Sequence, residues 1–187
     1  QQRLRHCRRV PHIARITTVN ASMDEMPFAS ASFDLIWSEA SVYIMGFEKA
    51  LSYWREFLTD GSHLVVNDLV WTDSDRPPAD MVSFWRQEYP DMKPLQSRIE
   101  QAEALGYEVL ATHALGHDAW AAYYEPLAQR VDALRDQLSD PAVANALLEE
   151  VEMLKRQATG SFTYVFFVLA PRPGRQVRSQ APPRSLH

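Results

Sequence analysis

Residues 26–70 read MPFASASFDLIWSEASVYIMGFEKALSYWREFLTDGSHLVVNDLV, and this stretch decides the fold. Phe33 to Trp37 is a short apolar run, as a strand buried in a parallel sheet requires. Apolar residues then recur at helical spacing from Phe47 to Leu58, and Gly61 supplies the stop signal expected just past a helix end. His63 to Asn67 is a second apolar run. This order predicts a strand, helix, strand unit of a parallel sheet.

Polar residues follow both strands of this unit. Ser38 and Glu39 come directly after the first strand, and Asp68 stands where the second predicted strand ends. Because ligands of open parallel sheets bind beyond the carboxyl ends of the strands, these positions should share one rim. Glu39 and Asp68 are therefore candidate catalytic residues. The alternative for each is a capping or solvated carboxylate.

The rest of the chain continues the alternation of strands and helices. A β-branched run predicts a first strand, and two later apolar runs predict the last two strands: residues 16–19, 107–115 and 161–170. Helical patterns cover residues 80–89, 96–105 and 119–124, a segment restarting at Pro126, and a last helix that begins at Asp140-Pro141. The sequence thus predicts an α/β fold with a mainly parallel sheet and helices on both faces.

Charge is distributed unevenly along the 187 residues. The two ends, 1–15 and 171–187, hold nine of the 19 Lys and Arg residues and no acid, which leaves ten against all 24 Asp and Glu between them. An acidic body repels phosphate backbones, so nucleic acid is not expected as a partner. Both ends are predicted to be irregular, the first a frayed basic lead-in and the second a disordered tail.

Cys7 is the only cysteine, which excludes an intramolecular disulfide and a cysteine-rich metal site. A reducing, cytoplasmic location is the simplest expectation. The longest apolar run, Tyr164 to Ala170, is too short to span a bilayer, so no membrane association is expected. His63, His113 and His117 match no metal-ligand spacing, and no metal is predicted.

Several motifs in this order resemble the class I S-adenosylmethionine-dependent methyltransferases that act on small molecules. These are Met26-Pro27-Phe28, then Ser32 to Ile36, then a helix that ends in Trp54 to Leu58 before the Gly61 turn. The segment WSEASVYIMGFEKAL is especially similar to one bacterial branch of that family. The resemblance covers roughly residues 16–170. It implies a Rossmann-like sheet, an antiparallel last strand, a small-molecule acceptor and S-adenosylmethionine as cofactor.

The resemblance also implies roles for particular residues. Ser22, Met23 and Asp24 occupy the loop that lies against the adenine, although a Ser/Asp turn that caps its own backbone is an equal alternative for them. Ser38 and Glu39 occupy the motif near the methionine end of the cofactor. The helical stretch 118–158 corresponds to the insertion that often covers the substrate pocket.

Two features of the family have no counterpart in this sequence: the glycine-rich cofactor loop and the acidic residue that binds the ribose. The chain therefore resembles the C-terminal two-thirds of a methyltransferase domain, beginning near the third strand. We expect this chain by itself to bind S-adenosylmethionine weakly or not at all.

Aromatic residues cluster in the segments predicted to lie on the ligand side. Tyr43, Trp71, Trp120 and Tyr124 are candidate substrate-binding residues, with Tyr123 beside them, because a cation such as a sulfonium is attracted to ring faces. Core packing is the alternative for each. Methyl transfer to a small molecule is the preferred function, a non-catalytic Rossmann-like binding or interaction domain is the alternative, and a homodimer is left open.

Overall fold

The computed structural model describes residues 16–72, 77–134, 141–156 and 160–173. The strands in this part are β1 Phe33–Ser38, β2 Leu58–Trp71, β3 Lys93–Pro94, β4 Tyr107–Ala114 and β5 Phe162–Pro171. The helices are α1 Val42–Met45, α2 Phe47–Trp54, α3 Ala79–Glu88, α4 Leu95–Ala104, α5 His117–Leu134 and α6 Pro141–Lys155, and a 3-10 turn covers Arg55–Phe57. The predicted lead-in at 1–15 lies outside these residues, as does most of the predicted tail.

These strands form one mixed sheet in the order β1-β2-β5-β4, with β3 pairing alongside the end of β2. β1 and β3 run parallel to β2, whereas β5 runs antiparallel to both β2 and β4. The α/β fold, the antiparallel last strand and the helical insertion before it are therefore confirmed. Four of the five strands predicted from the sequence lie in this sheet.

The two faces of the sheet are covered by different helices. On one face α2 and α4 pack against side chains such as Leu64, Val66 and Phe167. On the other face α3, α5 and α6 pack around Leu69 and Phe162. Helices on both faces, as predicted, leave the central strand β2 buried along most of its length, which explains its nearly continuous apolar sequence.

The strand predicted at residues 16–19 is wrong. Ile16 and Val19 are exposed and carry no strand structure, and only an isolated bridge joins Ser22 and Glu25 nearby. β-branched residues favour a strand, but a strand forms only where a neighbouring strand completes the ladder. In the described part of the chain β1 is the edge of the sheet, and residues 16–19 do not pair with it.

The predicted turn at Gly61 is also wrong, because the helix ends earlier and the strand begins earlier. α2 stops at Trp54, and β2 already begins at Leu58. Phe33 pairs with Leu58 while Leu35 pairs with His63, so β2 carries extra residues at a bulge. Gly61 lies in that bulge with φ 75°, a conformation that glycine adopts without strain.

The break predicted before Pro126 is absent, since α5 runs continuously from His117 to Leu134 with this proline inside it. Proline removes one backbone hydrogen bond from a helix interior. Here Trp120, Tyr124 and Val131 are buried on both sides of Pro126, so tertiary packing holds the helix together across it.

Candidate functional site

Strand lengths bring the two predicted carboxylates to one rim of the sheet. β1 ends at Ser38, which pairs with Val66 of β2. β2 continues to Trp71 because it also pairs with β5 on one side and β3 on the other. Asp68 is therefore inside a strand and not in the predicted loop after it, yet it lies beyond the end of β1, next to the segment that carries Glu39.

A cavity of about 620 Å³ opens at this rim. Its walls come from the segment after β1, from β2 and β5, and from α3, α5 and α6. The residues that line it are Glu39, Ala40, Tyr43, Asn67, Asp68, Leu69, Trp85, Glu88, Tyr89, Leu115, Ala119, Trp120, Tyr123, Glu150, Leu154, Tyr164 and Phe166. This volume is typical of a site for a small organic molecule.

Hydrogen bonds hold the segment that carries Glu39. The Trp37 indole Nε1 donates to Glu39 Oε1 at 2.6 Å, and the Ala40 backbone N–H donates to Asn67 Oδ1 at 2.6 Å. The Ser38 and Ser41 hydroxyls lie 2.9 Å apart. Ala40 has φ 47°, in the left-handed region that alanine rarely adopts. The side-chain amide of the buried Asn67 thus fixes an unusual turn that presents Glu39 to the cavity.

Asp68 belongs to a buried charged network. Its Oδ2 accepts from Arg98 Nε at 2.7 Å, and its Oδ1 accepts from the Tyr89 hydroxyl at 2.9 Å. Arg98 is completely buried, and it also donates to the Tyr89 hydroxyl, to Oδ2 and the backbone carbonyl of Asp91, and to Gln101 Oε1. Both Asp68 oxygens are therefore already occupied by donors.

The protonation of this network follows from its burial and its charges. Burial raises the pKa of Asp68, while the Arg98 guanidinium acts in the opposite direction. Burial alone would lower the pKa of Arg98, but Asp68, Tyr89 and Asp91 raise it above its ordinary value. Burial and the neighbouring Asp68 raise the pKa of Tyr89. An acceptor held by two strong donors is a poor base, so this geometry suits Asp68 to orienting Tyr89.

The predicted aromatic residues divide into two groups. Tyr43 and Trp120 line the cavity, with Tyr43 lying 6.0 Å from Tyr89 between ring centroids. Trp120 is also a core residue: it stacks on Tyr164, and its indole donates to Thr163 at 3.0 Å. Trp71 and Tyr124 are not among the lining residues. Trp71 packs edge-on against Phe162, and Tyr124 is buried with its hydroxyl 3.4 Å from His117 Nε2.

The residues predicted to contact adenine lie beside α2. The Ser22 hydroxyl donates to the Asp24 carboxylate, Lys49 lies 3.8 Å from the same carboxylate, and the Met23 carbonyl accepts from the Trp54 indole at 3.0 Å. The hydrogen bond from Ser22 is the main reason that the pKa of Asp24 is lowered. Asp24 is thus the exposed anionic acceptor of this segment, with Ser22 as its neighbour.

Three residues of the site had a signal in the sequence that the predictions did not use. Arg98 falls within the apolar stripe of α4, between Leu95 and Ala102 at helical spacing. Glu150 likewise lies on the inner side of α6, four residues before Leu154. Tyr164 alternates with the buried residues of β5. A charged residue in an apolar stripe is the feature that would have identified the first two.

Metal ligation and membrane insertion receive no support from the described residues. Within them, no group of three or more His, Cys, Asp or Glu side chains could hold a metal ion. None of their helices combines the length and the apolar character needed to cross a bilayer.

The comparisons with known proteins agree on the fold. Residues 1–66 match a family model described as a methyltransferase domain. No curated protein sequence matches the chain. A putative sarcosine dimethylglycine methyltransferase from Galdieria sulphuraria has a similar structure, with TM-score 0.65 and 17% identity, covering 84% of this chain and 60% of that one.

Two further structures widen the range of chemistry on this fold. One is geranyl diphosphate C-methyltransferase from Streptomyces coelicolor A3(2), solved in complex with Mg²⁺, geranyl diphosphate and S-adenosyl-L-homocysteine. Its TM-score is 0.58 and its sequence identity is 18%, over 91% of this chain and 58% of that one. The [4+2]-cyclase SpnF has TM-score 0.65 and 17% identity over 91% of this chain and 61% of that one. The chain spans about 60% of the length of these proteins. Its fold is that of the S-adenosylmethionine-dependent methyltransferases, and the resemblance found in the sequence is confirmed.

Proposed function

We propose that this chain forms the acceptor side of an S-adenosylmethionine-dependent methyltransferase that acts on a small molecule. The observation that carries the proposal is the position of the cavity. It lies beyond the carboxyl end of β1, where open α/β sheets bind their ligands, and α5 and α6 stand over it. A cavity of this size is typical of a site for a small organic acceptor.

The residues around the cavity align the acceptor and exclude water. When bound, S-adenosylmethionine supplies an electrophilic methyl group, and a one-step displacement on that group depends chiefly on alignment. Tyr43 and Tyr123 are each about half exposed, so their rings are available to an acceptor. In this proposal the helices α5 and α6 form the lid that the sequence predicts at residues 118–158, and this lid covers the cavity.

The two carboxylates have different roles in this proposal. Glu39 is exposed at the cavity, with one oxygen held by Trp37, so its other oxygen can orient the acceptor or take its proton. Asp68 acts as a positioning residue, because Arg98 and Tyr89 occupy both of its oxygens.

The residues present fit part of the cofactor. Asp24 offers an exposed carboxylate as an acceptor for the adenine amino group, beside Ser22 and Met23. In this proposal Ser38 and Glu39 contact the methionine end of the cofactor. The glycine-rich loop and the ribose-binding acid of the family have no counterpart in this sequence, so the ribose and part of the methionine moiety lack these partners. We therefore predict that this chain alone binds the cofactor weakly.

Location and assembly follow as proposals. One cysteine in 187 residues supports a reducing, cytoplasmic location. The acidic body supports a small-molecule partner over nucleic acid, and no membrane partner is proposed. In the described part of the chain Leu35 and Trp37 are exposed on the edge strand β1, which an upstream segment of a longer chain or a second copy in a homodimer would cover.

One observation favours a second candidate function. SpnF, with a similar structure over 91% of this chain, is described as a [4+2]-cyclase, so this fold also supports chemistry other than methyl transfer. The alternative is a Rossmann-like domain that binds a small molecule in the same cavity without methylating it.

Transfer of a labelled methyl group separates the two candidates. Isotopically labelled S-adenosylmethionine is incubated with the chain, with any longer product of the same reading frame, and with a panel of small-molecule acceptors. We expect label in a small-molecule product, with activity lower for the 187-residue chain than for a longer product. Binding of panel members without label transfer by any form would favour the non-catalytic alternative and overturn the proposal.

A further inference from the structure

The cavity has a chemical composition that methyl transfer as such does not require. Aromatic rings form much of its lining, among them Tyr43, Tyr123, Tyr164 and Phe166. Carboxylates occur between the rings, and none of the lining residues within the described part of the chain is Lys, Arg or His. Ring faces carry negative electrostatic potential, so rings and carboxylates favour the same kind of ligand.

Most of this negative charge has no internal partner. Asp68 is matched by Arg98, but Glu39, Glu88 and Glu150 form no ion pair among the described residues. Three carboxylates around one cavity repel one another and are disfavoured unless water or a ligand compensates them. A ligand that supplies a positive charge would relieve this repulsion.

Tyr164 forms part of the cavity wall beside these acidic groups. Burial raises the pKa of its hydroxyl to about 12, and Tyr43, Asp68, Tyr123 and Glu150 add to the rise. A negative charge is therefore disfavoured at this wall of the cavity. Burial disfavours a charge of either sign, but the carboxylates of Asp68 and Glu150 favour a cation over an anion at this wall.

We infer that the acceptor is an amine with small apolar substituents, which binds as its ammonium cation between the aromatic rings and the three unpaired carboxylates of this cavity. Loss of the ammonium proton to Glu39 would free the nitrogen lone pair. The new bond from nitrogen to the methyl carbon would then form as the bond from that carbon to the sulfonium breaks, with S-adenosylhomocysteine as the leaving group. The inference rests on the proposed function, because it names the substrate class of that site. A diphosphate or another anionic acceptor is the main competitor. Anion sites are built from Arg, Lys or backbone N–H groups, or from a divalent cation held by carboxylates. The described lining offers no basic side chain, and no group of three or more His, Cys, Asp or Glu side chains among the described residues could hold a metal ion.

An isosteric pair of probes tests the charge preference without requiring turnover. Choline and 3,3-dimethylbutan-1-ol have nearly the same shape but differ by one positive charge, and 3,3-dimethylbutanoate supplies the corresponding anion. Binding of each to the 187-residue chain is measured by saturation-transfer NMR titration. We expect choline to bind at least about tenfold more tightly than the neutral alcohol, and the anion to bind least. Raised salt should weaken choline binding alone.

A matched pair of variants on α6 locates the effect. Glu150→Gln removes a lining carboxylate and should weaken choline binding about three- to tenfold without changing the affinity of the neutral alcohol. Glu149→Gln removes an exposed neighbour that does not line the cavity, so it should change neither. Melting temperatures of both variants confirm that they are folded. Equal affinity for choline and the alcohol, tighter binding of the anion, or equal effects of the two substitutions would overturn the inference.

Failure of this inference can be told apart from failure of the proposed function. Methyl transfer to neutral or anionic acceptors, with no preference for choline, would leave the methyltransferase proposal standing and remove the amine. A clear choline preference without methyl transfer to any amine would leave the cation site and remove the methyltransferase.

Discussion

The substitution Arg98→Met tests the buried network beneath the site. Arg98 is completely buried and Asp68 is 1% exposed, so removal of the guanidinium leaves a buried carboxylate without its cationic partner, with the Tyr89 hydroxyl still donating to it. Breaking a buried pair from one side costs about 3–5 kcal/mol of unfolding free energy. Asp91 is half exposed and can be rehydrated, so its lost bonds add little. The Arg98 guanidinium carbon also lies 4.8 Å from the centroid of the Phe47 ring, and methionine can fill this space against the ring without the charge.

Urea unfolding followed by tryptophan fluorescence measures this loss. Arg156→Met is the matched control, because Arg156 also pairs with an aspartate but does so at the surface, where no resolvable change is expected. The loss of unfolding free energy caused by Arg98→Met should become smaller at acidic pH, because a protonated Asp68 carries no charge that the guanidinium must neutralise. The double variant Arg98→Met/Asp68→Leu should be more stable than Arg98→Met alone. Equal behaviour of Arg98→Met and Arg156→Met would refute the reasoning.

Three further predictions concern the cavity itself. Glu39→Gln removes the negative charge but keeps the size of the side chain and an oxygen that accepts from the Trp37 indole. We expect it to reduce turnover or cofactor affinity while the melting temperature stays unchanged. A lower melting temperature would instead mark Glu39 as a structural residue. Trp120→Ala should cost about 3–5 kcal/mol of unfolding free energy, because the Trp120 side chain is buried. Tyr123 is 57% exposed, so Tyr123→Ala should leave the stability in urea nearly unchanged and weaken acceptor binding. A stable Trp120→Ala variant together with an unstable Tyr123→Ala variant would contradict the lining described here. The pKa of the Tyr164 hydroxyl is raised to about 12 in the folded protein, against an ordinary value near 10. Its contribution to the stability of the folded state is therefore complete below about pH 10 and should be lost as pH rises from about 10 through 12. A spectrophotometric titration in which Tyr164→Phe removes no late-titrating phenol would refute this.

The sequence predicts the fold where local pattern and long-range pairing agree. The run Phe33 to Trp37 and the last apolar run both became strands, because each one has a partner in the sheet. Residues 16–19 show equal strand propensity but have no partner in the described part of the chain. The length of β2 could not be predicted for the same reason: Asp68 belongs to the strand because Val165, nearly a hundred residues later, pairs with it.

The sequence predicts which rim of the sheet carries Glu39 and Asp68, but it does not predict the contacts that these residues make there. The rim with Glu39 and Asp68 follows from the order of strands, which a sequence displays directly. The role of Asp68 depends on Arg98 and Tyr89, which reach it only after α3 and α4 have folded back. The separation of Trp71 and Tyr124 from the cavity depends on packing, because aromatic residues in neighbouring loops look alike until their partners are known.

Photolabelling is the most direct test of the central claim that methyl donor and acceptor meet at this rim. S-adenosylmethionine with a labelled methyl group is irradiated with the chain, and with any longer product of its reading frame, in the presence and absence of excess S-adenosylhomocysteine. Peptide mapping then locates the label that the competitor suppresses. The account predicts this label within residues 37–43, on the segment that carries Glu39 and Tyr43. Competitor-sensitive label confined to the opposite end of the sheet, near His63 and Tyr107, would contradict it.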